Sequence, residues 1–122
     1  MNLILSSIGA SLTILWGIAH LIPTKGVIEK FGDISKDNQR ILAMEWINEG
    51  VTLVFLGILT FIGMIIQKGV PVSYINFSVS GMLIVLALIS LNTGFKVNFI
   101  PYKLCPLIFT ISAIFLFLGA II

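Results

Sequence analysis

Apolar residues fall in four long runs, at about 3–22, 43–66, 72–91 and 104–122, with polar breaks between them. Each run is close to the roughly 20 residues a helix needs to cross a hydrocarbon core. The second is densest over Val51–Ile66 and is lengthened at its start through Ile41–Gly50. In hydrocarbon, backbone groups must find partners within their own segment, so the runs predict helices and not strands. Pro23 closes the first run, since proline does not continue a helix comfortably. The breaks are a polar stretch over Pro23–Arg40, a tight link over Gln67–Pro71, and Asn92–Lys103, rich in Asn, Gly and Pro. Short links imply antiparallel neighbours. The pattern predicts one transmembrane domain over residues 1–122, an all-α, integral membrane four-helix antiparallel bundle.

Composition narrows the class. Hydrophobic residues make up 58% of the chain and charged ones only 10%, with a mean hydropathy of +1.15. A water-facing domain carries about 25% charged residues. A soluble enzyme, a disordered tail and a nucleic-acid binder are therefore excluded, and a net charge of +2 leaves no basic patch for nucleic acid. The lone cysteine, Cys105, cannot close an intrachain disulfide. Charge placement carries more than charge total. Lys25, Lys30, Lys36 and Arg40 fall in the first break and Lys96 and Lys103 in the third, with Lys68 alone in the second. The positive-inside rule then puts loops 23–40 and 92–103 in the cytoplasm and both termini outside the cell membrane. The first run lacks a basic leader and exceeds the usual apolar length of a signal peptide, so it is expected to remain as a span.

Within the first break, Ser35, Asp37 or Asn38 is placed to cap the helix that follows, and an acidic cap suits the helix dipole. A short interfacial helix near Val27–Phe31 is compatible with the sequence, although a solvated loop is the simpler expectation. Membrane helices mark packed faces with small and weakly polar residues. Ser6, Ala10, Thr13, Gly17 and His20 form such a seam in the first span. The second offers Glu45, Glu49, Thr52, Leu56, Thr60 and Gly63. The third offers Ser73, Asn76 or Phe77, Ser80, Ile84 and Ala87. In the fourth the seam is Pro106, Thr110, Ala113, Phe117 and Ala120, with Gly119 beside it.

Packing accounts for these residues apart from the two glutamates and the histidine. Glu45 and Glu49 lie four residues apart, on one side of a helix and about 6 Å apart in depth. His20 closes the first span on the same side of the membrane. Ionisable groups at this depth cost a few kcal/mol to insert, which makes them candidates for function. Two close carboxylates in a low dielectric cannot both ionise freely, and an imidazole can take the proton or pair with the remaining charge. Glu49, His20 and Glu45 are the candidate catalytic residues, as an acid/base relay or a proton-coupled binding site. Trp16 and Trp46 could wall the pocket, and Asn48, Asn92 and Cys105 could add polar contacts. One nitrogen and two carboxylates also form a possible metal set, but without ligand spacing, so no metal is assigned and the cofactor is left unknown. The plainer alternatives are an interfacial His20, a Glu45 paired with Arg40, and tryptophans that anchor at the interface.

The stretches "GIAHLIPTKG" and "MEWINEGVTLVFLGIL" resemble the DoxX-like group of small bacterial four-helix membrane proteins. The likeness covers the first two spans, through the His-Leu pair closing span one and the Gly-rich second span. It implies quinone-coupled redox chemistry or an accessory-subunit role. Small multidrug transporters keep a carboxylate in their first span, which is absent here. Membrane glutathione transferases of the eicosanoid class carry an arginine motif in their second, also absent. His20, Glu45, Glu49 and a tryptophan are similar in type, but not in spacing, to the residues of emopamil-binding sterol isomerases.

These readings lead to a small polytopic membrane protein with a cytoplasmic-leaflet Glu/His pocket for a lipophilic small molecule, with proton transfer as its possible chemistry. Two alternatives stay open. One is a non-catalytic subunit of a membrane redox complex; the other is a proton-coupled transporter acting as a dimer. The expected partners are the lipid bilayer, a lipophilic molecule, and a second copy or a complex partner. No phosphate-binding Gly loop, nucleophile elbow, CxxC pair or HExxH motif is present.

Overall fold

Asn2 opens the first helix, α1 (Leu3–Leu21): its side-chain oxygen accepts from the N–H groups of Ile4 and Leu5 at 3.1 and 3.2 Å. The computed structural model describes residues 1–66 and 72–122. After α1 come the short α2 (Thr24–Glu29), then α3 (Lys36–Ile66), α4 (Val72–Asn92), a 3₁₀ turn at Gly94–Lys96 and α5 (Ile100–Ile121). Among the described residues four helices are long and apolar enough to cross a membrane, the architecture of a multi-pass membrane protein.

The first break is more ordered than a solvated loop. Pro23 precedes α2, and the Thr24 hydroxyl donates to the Leu21 carbonyl at 2.6 Å. The short helix thus begins three residues before the expected Val27. Gly32, with a φ of 77°, turns the chain before α3. Of the three candidate caps, Ser35 does the work: its Oγ accepts from the Asn38 N–H at 3.1 Å. Asp37 sits in the first turn, where the dipole favours an acid. The helix begins seven residues before the expected 43, and its 31 residues extend about 46 Å, beyond the hydrocarbon thickness. At the other break α5 starts at Ile100 instead of 104, with Pro101 in its first turn, where a missing N–H costs nothing. The expected tight link Gln67–Pro71 and Lys68 lie outside the described residues.

The helices pack antiparallel: α1 lies between α3 and α5, and α4 packs on the other side of α5. Among neighbouring spans, α3 and α4, consecutive in the chain, touch least. The Asn2 N–H donates to the Gly119 carbonyl at 2.7 Å, which brings the start of α1 to the end of α5. The core is Leu53, Leu83, Phe109 and Leu116 with smaller neighbours, while Leu, Ile, Val and Phe side chains cover the outside. Most of the buried hydroxyls and amides are bound to nearby acceptors, Ser112 Oγ being an exception. Thr13 and Thr60 return to carbonyls one turn back, whereas Ser80 reaches Ala113 O at 2.9 Å and Asn76 reaches Ser6 Oγ at 2.8 Å across helix pairs.

The seam of α1 is buried at Ser6, Ala10, Thr13, Gly17 and His20, together with Gly9. That of α3 departs from expectation. Gly50, Leu53, Gly57, Thr60 and Gly63 are buried, whereas Thr52 is exposed and Leu56 half-buried. Over its loop-side half the buried stripe is rotated by one residue, about 100° around the axis. Glycine determines the rotation. A Cβ at Gly17 would lie 2.8 Å from Gly50 O, and one at Gly57 would lie 2.7 Å from Ala10 O, so backbone meets backbone where only hydrogen fits. In α4, Asn76, Ser80 and Ala87 are buried as expected, with Leu83 instead of Ile84; Phe77 faces out. In α5, Phe117 is exposed and Phe109, Ser112 and Leu116 take the inner face.

Candidate functional site

The Gly17–Gly50 crossing is what brings the site together. His20 follows Gly17 by nearly one turn and Glu49 immediately precedes Gly50. With the backbones in contact, His20 Nε2 faces Glu49 Oε2 at 3.4 Å. His20 is 6% exposed, whereas the Glu49 side chain is 38% exposed. The approach satisfies ion-pair distance without hydrogen-bond alignment, so Nε2 is left as a buried nitrogen with no bonded partner. Trp46, one turn before Gly50, holds the imidazole. Its ring stacks on His20 with centroids 3.7 Å apart and planes 14° from parallel. Its indole N–H donates to the His20 backbone carbonyl at 2.6 Å, one of the carbonyls left free at the end of α1. Tyr102 closes the cluster, edge-on to Trp46 at 5.7 Å.

Two cavities meet at His20 and Cys105. The first, about 230 Å³, is walled by Trp16, Ala19, Val27, Trp46, Phe99 and Leu104, so almost all of its lining is apolar. The second, about 200 Å³, reaches Glu49, Ser90, Thr93 and Tyr102. The α2 helix roofs the first cavity through buried Val27, and Lys30 Nζ rests 3.7 Å above the centre of the Phe99 ring, tying α2 to the start of α5. A cation over an aromatic face contributes about 0.5–1 kcal/mol at an exposed position. Cys105 donates its S–H to the Pro101 carbonyl at 3.4 Å. Beside its sulfur stands the Trp16 indole, whose N–H is buried and has no aligned acceptor.

Of the expected site residues, the structure gathers His20, Glu49, Trp46, Trp16 and Cys105. It does not gather Glu45, Asn48 or Asn92. Glu45 and Asn48 are exposed, because the rotated stripe of α3 turns them out of the bundle. Asn92 is also exposed, and its amide donates to the Leu88 carbonyl at 2.8 Å in its own helix. Glu45 is therefore exposed and lines neither cavity, and the site holds one carboxylate. Arg40 is bound to Asp37 at 3.3 Å and not to Glu45. Sequence reasoning missed Tyr102, Phe99, Ser90 and Thr93. The signal for the first two was Pro101: a proline suited to a first helical turn draws Tyr102 into α5 and sets Phe99 just before it.

With a single carboxylate, the arrangement can orient an imidazole and balance its charge. Among the described residues no three His, Cys, Asp or Glu side chains come together to hold a metal ion. Nε2 is the ring nitrogen that faces the carboxylate, and Nδ1 is the one that does not. No family model, curated relative or solved structure matches this chain.

Proposed function

We propose that this protein is a small polytopic component of the cell membrane that binds a lipophilic small molecule at the cytoplasmic leaflet and exchanges a proton with it. One observation carries the reading: an apolar cavity and a second that reaches Glu49, Ser90, Thr93 and Tyr102 share a buried imidazole, backed by a carboxylate, in a bundle that otherwise buries no ionisable pair among its described residues. In this reading His20 Nδ1 takes a proton from the ligand, the bonding electron pair stays on the ligand, and Glu49 balances the imidazolium charge. Glu45 has no part in it. Lys25, Lys30, Lys36, Arg40, Lys96 and Lys103 crowd the connections at the same end as the site, which supports the cytoplasmic side and external termini. Glu49 stands about 25 Å along α3 from Ile66, a depth just inside a ~30 Å hydrocarbon core. The same reading sets the chain beside the DoxX-like proteins, on the residues of its first two spans.

The test is native mass spectrometry of wild type and Glu49→Gln released gently from detergent, with folding of each checked by circular dichroism. A lipophilic species that accompanies wild type and is lost from the folded variant is the expected result. If neither form carries a ligand, or both carry the same one equally, the proposal fails.

A further inference from the structure

The basic side chains at the loop end of the bundle are not evenly spread. Lys30 rests over the Phe99 ring at 3.7 Å, and Lys103 stands over that of Phe95 at 5.8 Å. Lys25, Lys36 and Arg40 instead line one open groove of about 580 Å³, between α2 and the first turns of α3. The turn at Gly32 creates it by laying α2 beside the start of α3. Lys25, Ile28 and Glu29 share a face of α2, and Lys36, Arg40 and Ala43 share a face of α3, each set at helical spacing. Ile28 and Ala43 are half-buried and form the floor, while the charged side chains are exposed and form the rim. The rim sets three cations against one carboxylate. Lys25 comes no closer than 4.0 Å to Glu29, with both side chains mostly in solvent, so that pair neutralises little. Arg40 gives one guanidinium nitrogen to Asp37 at 3.3 Å and keeps its other donors. Lys36 makes no ion pair among the described residues and stands at the positive end of the α3 dipole.

Depth says what kind of anion meets this rim. About 20 residues of helix span the hydrocarbon, so a core that ends at Ile66 begins near Ile47. Ala43 then lies about 6 Å beyond that edge and Arg40 about 10 Å. The headgroup layer is roughly 5–8 Å deep on each side of the bilayer. The half-buried floor therefore falls among the headgroups, and the basic rim stands at their outer border. A guanidinium fork matches phosphate oxygens, and a lysine supplies a point charge beside them. A half-apolar floor at this depth suits the glycerol end of a lipid better than a fully hydrated ion. We propose that the groove holds the phosphate of an anionic phospholipid headgroup between Lys36 and Arg40 on α3 and Lys25 on α2. The groove shares no lining residue with either cavity at His20, so this site stands or falls apart from the ligand pocket.

The experiment titrates three probes by calorimetry into the protein in neutral detergent micelles, with protein-free micelles as the blank. They are dioctanoyl phosphatidylglycerol, dioctanoyl phosphatidylcholine with the same acyl chains, and inorganic phosphate. A basic side chain near an anionic lipid contributes about fivefold in affinity. Wild type is therefore expected to hold phosphatidylglycerol at least ~fivefold more tightly than phosphatidylcholine. Lys36→Gln/Arg40→Gln should weaken phosphatidylglycerol by about tenfold or more. Lys96→Gln/Lys103→Gln removes the same charge from the same end of the bundle but outside the groove, and should weaken it by less than ~threefold. If the first double variant loses no more than the second, attraction is spread over the whole end and the groove is overturned. A smaller wild-type preference than ~fivefold overturns anion recognition. Inorganic phosphate bound as tightly as phosphatidylglycerol overturns the lipid and makes the groove a site for a soluble anion. Circular dichroism checks folding, and should Lys36→Gln/Arg40→Gln not fold, the three probes on wild type decide without it.

Discussion

Replacing Gly17 by alanine puts a methyl group where α1 and α3 touch backbone to backbone. The added Cβ would lie 2.8 Å from Gly50 O and 2.9 Å from Val54 N, while ordinary contact begins at 3.4 Å. Neither neighbour is a flexible side-chain tip, so the helices must part by about 0.6 Å. A gap of that size forfeits roughly a quarter of the dispersion well at each facing atom pair. For roughly 40 pairs at ~0.15 kcal/mol each, the loss is about 1.5 kcal/mol. That value lies within the ~1–3 kcal/mol usual for overpacking. The helix propensity gained by replacing glycine does not offset it, because the separated helices of a micelle are already helical. Gly81→Ala is the matched control, since a Cβ there meets nothing within 4 Å and the position is exposed. Unfolding by increasing SDS in mixed micelles, followed by tryptophan fluorescence, reads the contact directly, because both tryptophans lie at this end of the α1–α3 pair. Gly17→Ala is expected to unfold about 1–3 kcal/mol more easily, and Gly81→Ala to stay within ~0.5 kcal/mol of wild type. The variant should also lose ligand, since the same parting stretches the 3.4 Å approach of His20 to Glu49 toward about 4 Å. If the two alanine variants unfold alike, the close crossing is refuted, and with it the reason His20 meets Glu49.

Trp46→Phe keeps a ring against His20 but loses the 2.6 Å bond to its carbonyl; it should cost about 1 kcal/mol in the same SDS assay and broaden the His20 imidazole resonances. An unchanged imidazole spectrum would show that Trp46 does not hold the ring. Glu45→Gln should leave ligand carriage within twofold of wild type, because Glu45 is exposed and lines neither cavity; loss of ligand would return it to the site. Ser6→Ala strands the Asn76 amide in the bundle and Asn76→Leu strands the buried Ser6 hydroxyl, so each should cost ~1–2 kcal/mol, whereas the double variant removes both partners and should be nearly neutral. The double variant should then be more stable than Ser6→Ala alone, and simple additivity of the two would refute the coupling.

Span number and type were legible because hydrocarbon imposes one rule on every segment, and four runs of apolar residues leave little choice. Which face of α3 turns inward was harder to read. Glu45 and Glu49 share a side of the helix, and a stripe drawn through both passes along Thr52 and Leu56. The competing stripe runs through Gly50 and Gly57, and in a membrane it prevails. Lipid gives the helices no hydrophobic reason to associate, so closest approach decides, and closest approach belongs to glycine. A stripe that favoured glycine over carboxylates would have set Trp46 and Glu49 at the edge of the contact and Glu45 outside it. The cavities were not legible, since they are space left over by several helices together: α2 roofs the first through Val27, Pro101 draws Phe99 and Tyr102 inward, and Cys105 takes up little volume between the two. The same contact explains why the space lies at this end of the bundle. Glycines let α1 and α3 close completely at Gly17 and Gly50, and one turn further on the tryptophan and the histidine hold the chains apart. A ringed side chain placed just past a backbone contact cannot be packed on all sides by helices that are already touching. The polar pair and the empty volume are thus two consequences of one crossing, and a change that moves the crossing should alter both together.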